Sequence, residues 1–266
     1  MLRHEFLVQL HKVTAARNYL EIGVNDGRSL ALSRVPSIAI DPAFKVTVPL
    51  RADIHLVKAT SDAYFAGGDP LGHLKSARNP LKNLRQGRPP FAHYLGGTTL
   101  DLSFIDGMHL FEYALRDFIN VEKLAAWSSV IVFDDMLPRS VDEAARGRHT
   151  NAWTGDVYKI IPVLQRYRPD LIVVPVDTKP TGVAVVFGAD PENTVLKDKY
   201  SEIVEEWVVP DPQKVPESIL ERLHAVQPEV LLDSPLWPEL VKARNRRATR
   251  SRGEGGLRSR LADVTG

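Results

Sequence analysis

Apolar positions recur along this chain in two rhythms. Residues 4–14 carry them at helical spacing, which predicts a short amphipathic helix. Arg17 to Ile22 then runs as a buried strand into a glycine-bearing turn, and Gly27-Arg28-Ser29 opens a predicted helix through Ser33. Ser37 to Asp41 reads as a second short strand ending in an acid, and Ile54 to Ala59 as a third. Strands alternating with helices predict a parallel sheet with crossover helices.

The rhythm stops over residues 66–98, which are rich in glycine, proline and basic residues. A stretch of this length without periodicity suits a functional lid or a mobile insertion. It resumes with Leu100 to Asp106, an apolar strand ending in an acid. A helix is predicted from Leu110 to Ala126, with Phe111, Ala114, Leu115, Phe118 and Val121 on one face. Ser129 to Asp135 is the most β-like run in the chain. Gly155 to Arg168 reads as a helix, and Leu171–Val176 and Gly182–Phe187 as two last strands joined by a Lys179-Pro180-Thr181-Gly182 turn. A closing hairpin makes the final strand antiparallel. The predicted fold is α/β, a Rossmann-like doubly wound sheet of about seven strands.

Beyond Asp190 the pattern weakens, with helical segments near 196–206 and 216–226. From Lys242 the chain is arginine-rich and nearly free of large apolar residues, the signature of a disordered basic tail. The expected organisation is a domain over 1–190 with the insertion at 66–98, a helical extension over 191–241, and the tail over 242–266. The 266 residues carry a formal net charge of +1, which gives no support for a nucleic-acid or membrane partner. There is no cysteine, so disulfides, thiolate nucleophiles and cysteine-bound zinc are excluded. No signal peptide and no bilayer-length apolar run is apparent, and a cytoplasmic location is expected.

Chemistry enters at Glu21-Ile22-Gly23-Val24-Asn25-Asp26-Gly27. Glycine lets the backbone turn tightly and lets a ligand approach without a Cβ in the way. The spacing is Gly-x-x-x-Gly, not the Gly-x-Gly-x-x-Gly of dinucleotide folds. An acid beside the loop, Glu21, suits a ligand bearing an ammonium or sulfonium better than a pyrophosphate. Asp41, eighteen positions after Gly23, can accept hydrogen bonds from ribose hydroxyls. These features favour S-adenosylmethionine over a nicotinamide cofactor. The competing reading is a plain strand–helix turn with Asp41 as a helix cap.

Asp106 ends the fourth strand and Asp134-Asp135 the fifth. Neighbouring strands would gather all three carboxylates beside the glycine loop. Crowded carboxylates repel one another, and a hard divalent cation such as Mg²⁺ relieves that repulsion. Such a cation would lower the pKa of a bound hydroxyl. His109, three residues after Asp106, can reach the same pocket and accept a proton. Trp153 and the basic residues Arg139, Arg146, Arg148 and His149 follow the fifth strand. They are candidates for an acceptor wall, or for a solvated loop.

Together, Glu21-x-Gly23-x-x-x-Gly27, Ile40-Asp41, Phe104-Ile105-Asp106-Gly107-x-His109 and Ile131-Val132-Phe133-Asp134-Asp135 resemble class I S-adenosylmethionine-dependent methyltransferases. The likeness is to the branch known as methyltransferase domain 24, which is similar to macrolide-sugar O-methyltransferases and, remotely, to catechol O-methyltransferase. It covers about residues 17–188. The resemblance implies O-methylation of a small hydroxylated acceptor, a sugar or natural product. Glu21, Gly23, Gly27, Asp41, Ser61 and Asp106 are then cofactor contacts, with Asp41 at the ribose and Ser61 on the adenine side. Asp106, Asp134 and Asp135 are the Mg²⁺ ligands, and His109 with Asp106 is catalytic. The chain departs from the family at Trp127-Ser128-Ser129, where a glycine pair is usual, and in its long insertion. A non-catalytic nucleotide-binding or scaffolding module and an NAD-dependent oxidoreductase are the alternatives. The intact acids and His109 oppose the first, and the missing third glycine opposes the second.

Overall fold

The computed structural model describes residues 1–76, 81, 84, 99–245 and 255–260. Helix α1 spans Arg3–Thr14 and strand β1 Tyr19–Ile22; β2 is Ser37–Ile40 and β3 Ile54–Val57. Two short helices follow, α2 (Ser61–Phe65) and α3 (Gly72–Ser76). Then come β4 (Leu100–Ile105), α4 (Phe111–Glu122), β5 (Ala125–Phe133), α5 (Ile160–Tyr167), β6 (Ile172–Val176) and β7 (Val183–Phe187). The C-terminal part holds α6 (Val195–Asp198), α7 (Tyr200–Trp207), α8 (Glu217–Leu220), α9 (Pro228–Leu232) and α10 (Leu236–Asn245).

The seven strands form one sheet in the order β3-β2-β1-β4-β5-β7-β6. β1 pairs in parallel with β2 and β4, while β7 runs antiparallel to β5 and β6. This is the predicted Rossmann-like α/β arrangement. The winding reverses between β1 and β4, and ligands of open α/β sheets bind beyond the strand carboxyl ends at such a point. The loops after Ile22 and Ile105 are adjacent there, with Asp106 N–H donating to Ile22 O at 2.8 Å.

Successive side chains of each strand enter opposite layers. In β5, Ile131 and Phe133 join the layer of α4 and α5, whereas Val130 and Val132 join the layer of α1 and α10. In β1, Leu20 and Ile22 go to the first layer and Tyr19 to the second. This alternation decides the fate of two acids below.

Several expectations need correction. The helix predicted over 27–33 is a single 3₁₀ turn, Leu30–Leu32. The helix predicted to Ala126 stops at Glu122, because Ala125 already opens a nine-residue β5. The segment near 216–226 is helical only over Glu217–Leu220. Residues 66–76, read as patternless, include α3, with Leu71 and Leu74 buried in the core; most of the remaining insertion lies outside the described residues. The tail expected from Lys242 begins inside α10, where Arg244 is buried, and residues 255–260 form a helical turn that buries Leu257. Residues 246–254 and 261–266 of that tail lie outside the described set. No helix among the described residues is long and apolar enough to cross a membrane.

Candidate active site

A cavity of about 820 Å³ opens along the carboxyl edge of the sheet. Gly23 starts its floor. Its φ is +88°, and a Cβ there would fall 1.9 Å from the carbonyl oxygen of Asp106, so only glycine lets the two loops meet. Asp41 also lines the cavity. Its Oδ2 accepts the N–H groups of Val24 and Asn25 at 2.9 Å each, and its Oδ1 that of Ala43 at 2.6 Å. A carboxylate offers about four acceptor positions. Three of them shape the loop, and the carboxylate keeps acceptor capacity toward the cavity. Gly27, φ +83°, turns the chain toward Val46 and is not part of the cavity wall.

Glu21 is fully buried away from the cavity. β-Strand alternation places it in the α1 layer with Tyr19, where the Tyr19 hydroxyl donates at 2.6 Å and the Ser29 hydroxyl at 2.7 Å. Burial pushes its carboxyl up to about 8, against the pull of those two donors. The expectation that Glu21 meets a cationic ligand is not what this geometry provides.

At the β3 end, Thr60, Ser61 and Asp62 line the cavity, and the Thr60 hydroxyl caps α2 by accepting from Ala63 N–H at 3.2 Å. Asp117 of α4, absent from the sequence-based site, lies behind them with 3% of its surface exposed. Burial raises its carboxyl to about 7, and a bond to Ser61 opposes the shift. Its signal was an acid flanking the apolar face of a helix.

The chemistry-bearing cluster sits at the β4 and β5 ends. Imidazole Nε2 of His109 lies 3.3 Å from Asp106 Oδ1, and Nδ1 lies 3.3 Å from Asp135 Oδ2 and 2.9 Å from the carbonyl of Trp153. The His109 and Trp153 rings stack with centroids 5.2 Å apart. Burial works against charge on His109, but the Asp106 bond and the charges of Asp135 and Asp106 outweigh it and raise its pKa to about 9. Asp135 is held at φ +60°, a conformation aspartate tolerates, and accepts from the Thr181 hydroxyl. Burial and the nearby Asp106 push the Asp135 carboxyl up, while His109 opposes this. Asp106, His109 and Asp135 each offer a ligand atom, all within 4.8 Å of one another.

Asp134 is not brought into that cluster. Continuing the β5 alternation, it turns toward α1, is 1% exposed, and pairs with Arg3. Arg3 also reaches Asp106 Oδ2 at 3.3 Å. Nothing in the local pattern around Arg3 marks it for this role; it arrives because the amino terminus bridges Lys179, Arg3 N–H donating to Lys179 O at 3.0 Å.

No family model and no curated protein sequence matches the chain. In structure it is similar to the O-methyltransferase from Bacillus cereus in complex with SAH, at 15% identity and a TM-score of 0.42, over 70% of this chain and 80% of that one. It is also similar to the SAH-bound methyltransferase from Podospora anserina, at 14% identity and 0.42, over 71% and 78%. A third is the O-methyltransferase TomG from Streptomyces achromogenes, involved in tomaymycin synthesis and in complex with SAM, at 17% identity and 0.37, over 71% and 80%. The strand order and register of the seven-stranded sheet define the fold.

The wall after β5 is rigidly tied. Arg146 donates to Glu112 at 2.6 Å and 3.0 Å and to Asp156 at 2.8 Å, and Asp156 accepts the first helical N–H of α4, that of Phe111. Gly155, φ +59°, passes so close to His109 that a Cβ would fall 1.6 Å from its carbonyl oxygen. Arg139 pairs with Glu143 and His149 lies 3.8 Å from Asp142. Of the four basic residues weighed in this segment, Arg148 alone lines the cavity.

Proposed function

We propose that this chain is an S-adenosylmethionine-dependent methyltransferase acting on a hydroxyl of a small acceptor, a sugar or natural product. One observation carries the reading. A single cavity joins the Gly23–Asp41–Ser61 end, suited to a nucleoside and its amino-acid arm, to the Asp106–His109–Asp135 cluster, suited to a hydroxyl. A methyl donor at one end and an acceptor at the other would share this one cavity, with Gly107 and Met108 among its lining residues.

In the reaction the acceptor oxygen attacks the sulfonium methyl carbon. The O–C bond forms, the S–C bond breaks, and its electron pair stays on sulfur. The hydroxyl proton passes to the neutral form of His109, whose fraction grows as pH rises toward about 9, and the imidazolium so formed lies between the carboxylates of Asp106 and Asp135. Most of the acceleration comes from holding the two reactants in line.

A divalent cation fits the same three residues, since two carboxylates and an imidazole converge. It would supply Lewis acidity that lowers the hydroxyl pKa. This set replaces the expected Asp106, Asp134 and Asp135 with Asp106, His109 and Asp135. A nitrogen that gives its lone pair to a cation has none for a proton, so turnover in excess chelator separates the two roles of His109.

Titration calorimetry with S-adenosylmethionine, SAH and NAD tests the core claim. Binding of the adenosyl ligands but not NAD is expected. If neither adenosyl ligand binds, the reading is wrong.

A further inference from the structure

Around the acid–histidine cluster, most cations of the described residues are committed to acids. Arg3 holds Asp134 and Asp106, Arg28 holds Asp26, Arg116 holds Asp62, and Arg146 holds Glu112 and Asp156. Two cavity-lining cations differ. Arg148 and Lys179 have no carboxylate within ion-pairing distance among the described residues, and both are exposed to the cavity mouth.

Their placement is fixed by what they adjoin. The Arg148 guanidinium lies 5.9 Å from the ring centroid of Trp153, the ring that stacks on His109. Trp153 is itself anchored, its indole N–H donating to Ala145 O at 2.6 Å. Lys179 sits in the β6–β7 turn, two residues before Thr181, whose hydroxyl binds Asp135. Its backbone is held on both sides by the amino terminus, N–H to Met1 O and carbonyl from Arg3 N–H, each at 3.0 Å. Arg148 therefore lies beside the ring that stacks on His109, while Lys179 lines the same cavity from the turn that carries Thr181. Asp177 feels the Lys179 charge but is ion-paired to Arg222, so a neutral hydroxylated acceptor would leave both cations without an ion-pair partner.

Building on the methyl-transfer reading, we infer that the acceptor is an anion: a hydroxylated molecule whose carboxylate or phosphate is held by Arg148 and Lys179 while its hydroxyl meets His109. A guanidinium presents a planar fork that matches either group, and an ammonium adds a point charge. The inner acids Asp106 and Asp135 repel that anionic end, so charge also sets the orientation of the acceptor. Solvent screening at the mouth keeps each contact modest, so the signature is discrimination rather than tight binding.

The test uses matched pairs that differ in charge: 3,4-dihydroxybenzoate against its methyl ester, and glucose 6-phosphate against glucose. Methyl transfer and binding to the SAH complex are measured for each. The anionic member is expected to be preferred in at least one pair, and the pair identifies carboxylate or phosphate. Arg148→Met and Lys179→Met should each lower the charged-to-neutral ratio of kcat/KM about fivefold. Arg148→Lys should retain most of the preference, and Arg139→Met, remote from the cavity, should retain all of it. Equal use of both members in every pair, or a preference that survives the double Met variant, overturns the inference. So does failure of every anionic probe to bind the SAH complex. Absence of SAH binding would instead defeat the methyltransferase reading. In that case, binding of 3,4-dihydroxybenzoate or glucose 6-phosphate to the ligand-free protein, weakened in both Met variants, still decides the anion site.

Discussion

Two residues at the end of β1, Gly23 and Glu21, carry opposite kinds of constraint. At Gly23 the constraint is steric. Gly23→Ala forces a Cβ to 1.9 Å from a backbone oxygen at a φ that L-residues avoid, and should cost roughly 3 kcal/mol or more. Gly68→Ala, with nothing within 4 Å of its Cβ, should stay within about 0.5 kcal/mol of wild type. Urea unfolding of both checks this. At Glu21 the constraint is electrostatic. Its ordinary value of 4.5 rises to about 8 in the folded chain. Between those limits the unfolded chain has released the proton and the folded chain keeps it, so stability falls as pH rises, by roughly 1.4 kcal/mol per pH unit. That loss is absent below 4.5 and complete above 8. Glu21→Gln, which does not titrate, should therefore lose less stability than wild type between pH 5 and pH 8. Parallel pH profiles for the two proteins would contradict the assignment.

Elements set how far the site can be perturbed without losing the fold. The segment after β5 has little regular structure, yet Arg146 ties it to α4 through Glu112 and Asp156. Arg146→Met leaves buried Asp156 with Lys159 as its one cationic partner among the described residues, and should cost about 3 kcal/mol. It should also loosen the wall that carries Trp153 and Arg148, raising the acceptor KM more than the SAH dissociation constant. Limited proteolysis should find new cleavage between residues 138 and 152. An unchanged KM with unchanged protease resistance would show that the wall is held by other contacts. In the sequence this segment showed only as a run of basic residues with a tryptophan. Which of them face the cavity depends on acids that lie up to 65 residues away, and no local pattern records that pairing.

At the scale of the whole molecule, the C-terminal helices are part of the core. Leu236, Trp237 and Leu240 pack with Phe6 and Leu10 of α1 under the sheet. Arg244 donates to Thr14 O at 2.8 Å and Ser128 O at 2.9 Å, joining α10 to α1 and β5. Trp237→Ala should cost about 3–5 kcal/mol. A chain ending at Ser234 should expose the α1 layer and melt well below the full chain, as thermal unfolding followed by circular dichroism would show.

The strand pattern, the sheet class and the positions of Gly23, Asp41, Asp106, His109 and Asp135 were all legible in the sequence. Alternation, glycine placement and strand-end acids are local signals, and the doubly wound topology then carries every strand end to one edge. Three things came only from the tertiary structure. Pleat direction turned Glu21 and Asp134 into the α1 layer, because side-chain alternation is fixed by register and not by residue type. The amino terminus delivered Arg3 to acids more than a hundred positions away, through backbone bonds to the β6–β7 turn. Pairing left Arg148 and Lys179 as the cavity cations without an acid partner among the described residues. Burial and charge pairing are sums over neighbours from the whole chain, so the sequence names the groups while the fold decides which of them remain free to act.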